Sequence, residues 1–121
     1  MNHRRAPRYE VRWPATVRVA PDSYLKAEAL NVAEGGVGLA ILPRPRFLPT
    51  HLMVMLGTSI GPILGEGKLR WEASGTPDAP VLAGLSFTPH AGYSSVRFEL
   101  ALQALARGEP VPAARPVAGE E

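Results

Sequence analysis

Between Val11 and Val19 apolar and polar positions alternate: Val11, Trp13, Ala15, Val17 and Val19 share one side, Arg12, Thr16 and Arg18 the other. A period of two predicts a half-buried β-strand. Pro14 has no N–H to give a ladder, which predicts an edge position or a bulge there. Pro21-Asp22 predicts a turn, and Leu25 to Leu30 resumes the extended pattern before Asn31. Glu34-Gly35-Gly36 predicts a sharp loop in which a glycine takes a positive φ. Val37 to Leu42 predicts a buried strand, and the prolines at 43, 45 and 49 a long connection. Further strands are predicted over 51–56, 65–72 and 81–87, separated by clusters of Gly, Pro, Ser and Thr. Six short strands divided by turn signals predict an all-β fold, a six-stranded antiparallel barrel, in preference to any βαβ layout. After Pro89 the period changes. Phe98, Ala101, Leu102 and Leu105 fall on one face of a C-terminal α-helix predicted over 96–106, with Ser94 or Ser95 as its cap and Gly108 as its end. That stripe would cover one opening or side of the barrel. From residue 108 to 121 the chain is mostly Pro, Ala, Gly and Glu without apolar periodicity, which predicts a disordered tail.

Composition narrows the class without changing this picture. At 121 residues, 45% hydrophobic and 20% charged, the chain suits one soluble globular domain with a core of its own. It contains no cysteine, which excludes disulfide scaffolds, thiolate metal sites and cysteine nucleophiles and agrees with a reducing, cytoplasmic setting. The longest apolar runs, Val37 to Leu42 and Leu52 to Leu56, fall far short of the roughly 20 residues that cross a bilayer, so no membrane insertion is expected. The basic start leads into alternating sequence and not into an apolar stretch, so no export signal is expected.

The net charge is only +2, but its distribution is uneven. Of thirteen cations eleven are Arg, and Arg4, Arg5, Arg8, Arg12 and Arg18 stand in the first eighteen residues against the single acid Glu10. Arginine suits planar, bidentate recognition of phosphates and base edges, whereas lysine acts as a hydrated point charge. The segment His3-Arg4-Arg5-Ala6-Pro7-Arg8-Tyr9 therefore reads as an anion-seeking arm, extended because Pro7 opposes a helix. The second candidate is Asn31-Val32-Ala33-Glu34-Gly35-Gly36-Val37-Gly38, between two strands, where an amide side chain and exposed backbone N–H groups suit a purine edge or a phosphate. Alone, each also fits a frayed terminus or a plain hairpin turn. Trp13 and Trp71 sit among apolar strand neighbours and are expected to pack in the core or at the barrel rim in preference to stacking on a base, although a Trp at the rim could do both. His3, His51 and His90 share no metal-ligand spacing, and no nucleophile, base or paired-acid constellation supports catalysis.

Taken together the elements resemble a known family. An Arg4-x-x-x-Arg8 arm precedes the first strand, Asn31-x-Ala33-x-x-Gly36 follows the second, and Gly67-Lys68-Leu69-Arg70-Trp71 and Ala83-Gly84-Leu85-Ser86-Phe87 follow in order. With a C-terminal helix, this resembles the PilZ domain, which binds the bacterial second messenger cyclic di-GMP. The resemblance implies a PilZ-like barrel plus helix over residues 10–107, a flexible basic arm over 1–9 and the tail over 108–121. It implies a ligand site of Arg4, Arg5 and Arg8 with Asn31, Ala33 and Gly36: the arginines on guanine edges and phosphates, Asn31 on a guanine, and Gly36 allowing close backbone approach. Ala33 stands where the family usually carries Ser. Arg8 and Arg12 repeat the same spacing one register on, but Arg12 already belongs to the strand alternation. The implied function is that of a non-enzymatic sensor with cyclic di-GMP as ligand, no cofactor, a downstream protein partner and room for a homodimer. Two other readings stand beside it: a PilZ-like adaptor that binds no cyclic di-GMP, and a single-stranded nucleic-acid binder, disfavoured because the excess positive charge is confined to the arm.

Overall fold

A computed structural model describes residues 6–42 and 48–115. Its strands are β1 (Tyr9–Ala20), β2 (Ser23–Ala33), β3 (Gly36–Ile41), β4 (His51–Thr58), β5 (Gly61–Ala73) and β6 (Val81–Pro89), followed by the helix α1 (Tyr93–Ala106). Every neighbouring pair is antiparallel, and the sheet closes in the order β1-β2-β3-β6-β5-β4. The predicted six-stranded barrel with one C-terminal helix is thus the observed fold. The alternation of β1 does what its period implies: Val11, Trp13, Ala15 and Val17 are buried, while Arg12, Pro14 and Arg18 face out. Val32 on β2, Val37 and Leu39 on β3, Leu56 on β4 and Ile63 on β5 meet them in one core. Each such side chain contributes roughly 1.5–3 kcal/mol on burial.

Closure leaves no edge strand for Pro14. It stands instead just outside the β1–β4 ladder, which runs from Ala15 to Arg18, and just after an irregularity between Glu10 and Trp13. Two-residue turns join β1 to β2 at Pro21-Asp22 and β2 to β3 at Glu34-Gly35, where Gly35 takes φ 81°. β1 starts at Tyr9, one residue inside the segment expected to be an arm.

The helix packs on β5 and β6 through Phe98 and Ala101, with Leu102 and Leu105 half-buried beside them. The Phe98 ring meets Phe87 edge-on at 5.2 Å between centroids. The expected serine cap is not used. Gly92, at φ 98°, precedes the helix without any side-chain cap, and Ser94 lies inside the first turn. Its buried hydroxyl accepts the Leu64 N–H at 2.8 Å, so it ties the helix to β5.

The tail also differs from expectation. Residues 109–115 run as a strap across the barrel. Ser59 N–H donates to the Pro112 carbonyl at 2.9 Å, Ala114 N–H to the Gly57 carbonyl at 3.0 Å, and Trp13 Nε1–H to the Val111 carbonyl at 2.8 Å. Val111 is buried and Pro112 exposed, a local alternation too short to register as a period. Prolines hold such a segment extended without a ladder of their own, and the barrel supplies the partners. Residues 116–121 lie outside the described part.

Candidate functional site

The site is assembled on the outer wall of β2, β3, β6 and β5. Register places Asn31 opposite Gly38, Gly38 opposite Gly84 and Gly84 opposite Trp71, one row across four strands. The adjacent row reads Ala33, Gly36, Ser86 and Lys68. Side chains in register share a face. The two rows therefore form a strip floored by glycine, alanine and serine, with an amide at one edge and an indole and an ammonium at the other. Four strands about 4.8 Å apart make it roughly 14 Å wide.

At the amide edge Arg8 folds back from the arm. Its Nη1–H donates to Asn31 Oδ1 at 2.6 Å, joining two sequence elements 23 residues apart. A Cβ built on Gly36 would lie 3.9 Å from Arg8 Nη2, so the guanidinium also stands beside that glycine. Three sequence-predicted site residues, Arg8, Asn31 and Gly36, are thus brought together. Ala33 lies in the same outer row and is buried, although it stands apart from the barrel core. Arg4 and Arg5 lie outside the described residues.

The electrostatics separate the two arginine registers. Among the described residues no carboxylate pairs with Arg8, so its charge is free for an incoming anion. Arg12 is already engaged: its Nε–H donates to Glu28 at 2.9 Å, and that hydrogen bond, reinforced by the carboxylate's charge, raises its pKa further above the ordinary guanidinium value.

Sequence reasoning left three contributors outside the site residues it named. Gly38 is the first: a Cβ there would fall 2.7 Å from Asn31 Nδ2 and 2.8 Å from Oδ1, so the Asn31 amide lies flat on bare backbone. It closes the second candidate segment, and a glycine inside a strand pattern is the signal for the close approach it permits. Trp71 is the second. By period two it would follow Leu69 inward, but a register irregularity between Leu69 and Trp71 turns it out. Its indole lies over Gly84, where any Cβ would collide with the ring, and it is 52% exposed, so one π-face rests on backbone and the other is open. Lys68 is the third, an exposed cation at the far edge of the strip. Among the described residues no group of three or more His, Asp or Glu side chains is placed to hold a metal ion, and no helix is long and apolar enough to cross a membrane.

No family model matches the sequence, and no curated protein matches it. Solved structures do match. The PilZ domain of YcgR from Escherichia coli, solved with c-di-GMP, superimposes with a TM-score of 0.61 at 17% identity, over 88% of this chain and 96% of that one. The chain has the PilZ-domain fold. A second PilZ-like neighbour is the Bacillus subtilis inhibitor of motility (MotI/DgrA), with a TM-score of 0.67 at 12% identity over 88% of this chain. The chain spans about half of that protein, 53% of its length. On the PilZ fold, the strip described above occupies an outer wall of the barrel and not its packed interior, so a ligand could reach it without opening the core.

Proposed function

We propose that this chain is a non-enzymatic sensor that binds cyclic di-GMP on the outer strip and passes the signal to a partner protein. The observation that carries the reading is the Arg8–Asn31 hydrogen bond, which unites the arm and the β2–β3 turn beside Gly36. The chemistry fits. Cyclic di-GMP has two phosphates and two flat guanines. An unpaired guanidinium and, across the strip, Lys68 answer the phosphates, an amide answers a guanine edge, and the open face of Trp71 answers a guanine face. Arg4 and Arg5, earlier in the same arm sequence, would add their charges to the bound phosphates, and the surface so changed is what a partner would read. That the PilZ-fold neighbour from Escherichia coli was solved with c-di-GMP supports the same ligand class.

Calorimetric titration of the full chain with cyclic di-GMP tests the reading. Binding is expected with a change in tryptophan fluorescence, because Trp71 is exposed at the site and Trp13 is buried away from it. The fluorescence change should vanish in Trp71→Phe while binding persists. No heat and no thermal shift at high ligand concentration would sink the sensor reading and favour a ligand-independent adaptor.

Gly38→Ala should weaken binding about tenfold with little loss of stability, since a methyl there displaces the Asn31 amide that Arg8 holds. The check is the same titration beside a thermal melt. Unchanged affinity would mean that Asn31 does not touch the ligand.

A further inference from the structure

The wall opposite the strip carries an apolar face that the reading above leaves unused. On β2, β1, β4 and β5 one outer row runs Tyr24, Arg18, Met53 and Glu66, and the next runs Lys26, Thr16, Met55 and Leu64. Tyr24 is 60% exposed, and Met55 and Leu64 are each 39% exposed. With Thr16, Arg18 and Met53 they line a shallow groove. Among the described residues neither the Arg18 nor the Glu66 side chain has a hydrogen bond or ion pair, and two strand spacings, roughly 10 Å, keep them apart from each other.

We infer that this face is where two copies of the chain associate. The argument is its charge pattern. A cation stands on β1 and an acid on β5, in the same row and on either side of the apolar β4. A two-fold axis lying in the interface along β4 exchanges left for right while keeping the row. It places Met53 and Met55 against their own counterparts, and it brings Arg18 of each copy opposite Glu66 of the other. A self-complementary patch of this kind is what an isologous dimer requires. A foreign partner would have to supply an acid and a base at the matching separation; a second copy already has both.

The face is small. Four strands about 4.8 Å apart and roughly six residues of about 3.3 Å each give on the order of 300 Å² of flat area, below the roughly 800 Å² per partner of a standard stable interface. Association is therefore expected at micromolar concentrations or above. It is independent of ligand, since the strip lies on the other wall.

Sedimentation velocity on the full chain across a concentration series reads the result. The wild type should show a concentration-dependent monomer–dimer equilibrium. Arg18→Glu and Glu66→Arg should each weaken it by about tenfold or more, because each sets like charges face to face. Mixing the two variants should restore a dimer, since every 18–66 contact in the mixed pair then joins opposite charges. Both positions are exposed, and matching thermal melts will verify that the variants are folded. A wild type that stays monomeric throughout, self-association that ignores both reversals, or a mixture that fails to pair would each overturn the inference and leave the face to a different protein.

Discussion

Arg8→Ala is expected to weaken cyclic di-GMP binding by about 100-fold while leaving the melting temperature within roughly 2 °C of wild type. Hydrogen bonds from a charged donor contribute roughly 1.5–3 kcal/mol each, and every 1.4 kcal/mol is about tenfold in affinity. Arg8 acts twice. In the proposed complex its charge would face the ligand without a competing carboxylate among the described residues, and its 2.6 Å bond holds the Asn31 amide in place. The substitution removes both, whereas the exposed side chain contributes nothing to the core. Arg8→Lys keeps the charge but loses the planar fork, so an intermediate loss of about tenfold is expected. Arg12→Ala serves as the control, because Arg12 is already paired with Glu28. Calorimetry on the three variants decides between the registers: a loss at Arg12 with Arg8 neutral would move the site one turn of the motif along the chain.

What the chain reveals before folding follows from how local each feature is. The six strands were legible because inward positions such as Val11, Trp13, Ala15 and Val17 repeat with period two, and the turns because Pro21-Asp22 and Glu34-Gly35 carry their own backbone constraints. The Arg8, Asn31 and Gly36 half of the strip was legible for the same reason, as short spaced elements at strand ends. The other half was not. Gly84, Ser86, Lys68 and Trp71 join Asn31, Gly36 and Gly38 on one surface only through strand register, and register follows from pairing that no single segment encodes. Period two points Trp71 inward after Leu69, and nothing in the sequence marks the irregularity between them that inverts its face. Ser94 looked like a helix cap because serine near a helix start usually is one, yet burial against β5 gave its hydroxyl a tertiary partner instead.

The largest stability effect is expected at Trp13, which also ties down the segment after the helix. Trp13 is fully buried in the barrel and spends its only polar group on the Val111 carbonyl of the strap. Trp13→Ala should cost roughly 3–5 kcal/mol, a large share of the 5–15 kcal/mol that holds a domain together, and lower the melting temperature by roughly 10–25 °C. Trp13→Phe keeps most of the apolar ring and loses the donor, so a smaller cost of about 1–3 kcal/mol is expected, with the strap as its main casualty. Limited trypsinolysis should then cut faster after Arg107, at the helix end, while the barrel stays resistant. Removing residues 109–121 provides the decisive comparison. If the indole N–H and the strap act on each other, the Trp13→Phe cost should largely disappear in the truncated chain, because two changes that share one contact do not add. Full additivity would mean that the strap is held by its bonds to Ser59 and Gly57 and by the burial of Val111, and that Trp13 stabilises the barrel by packing only.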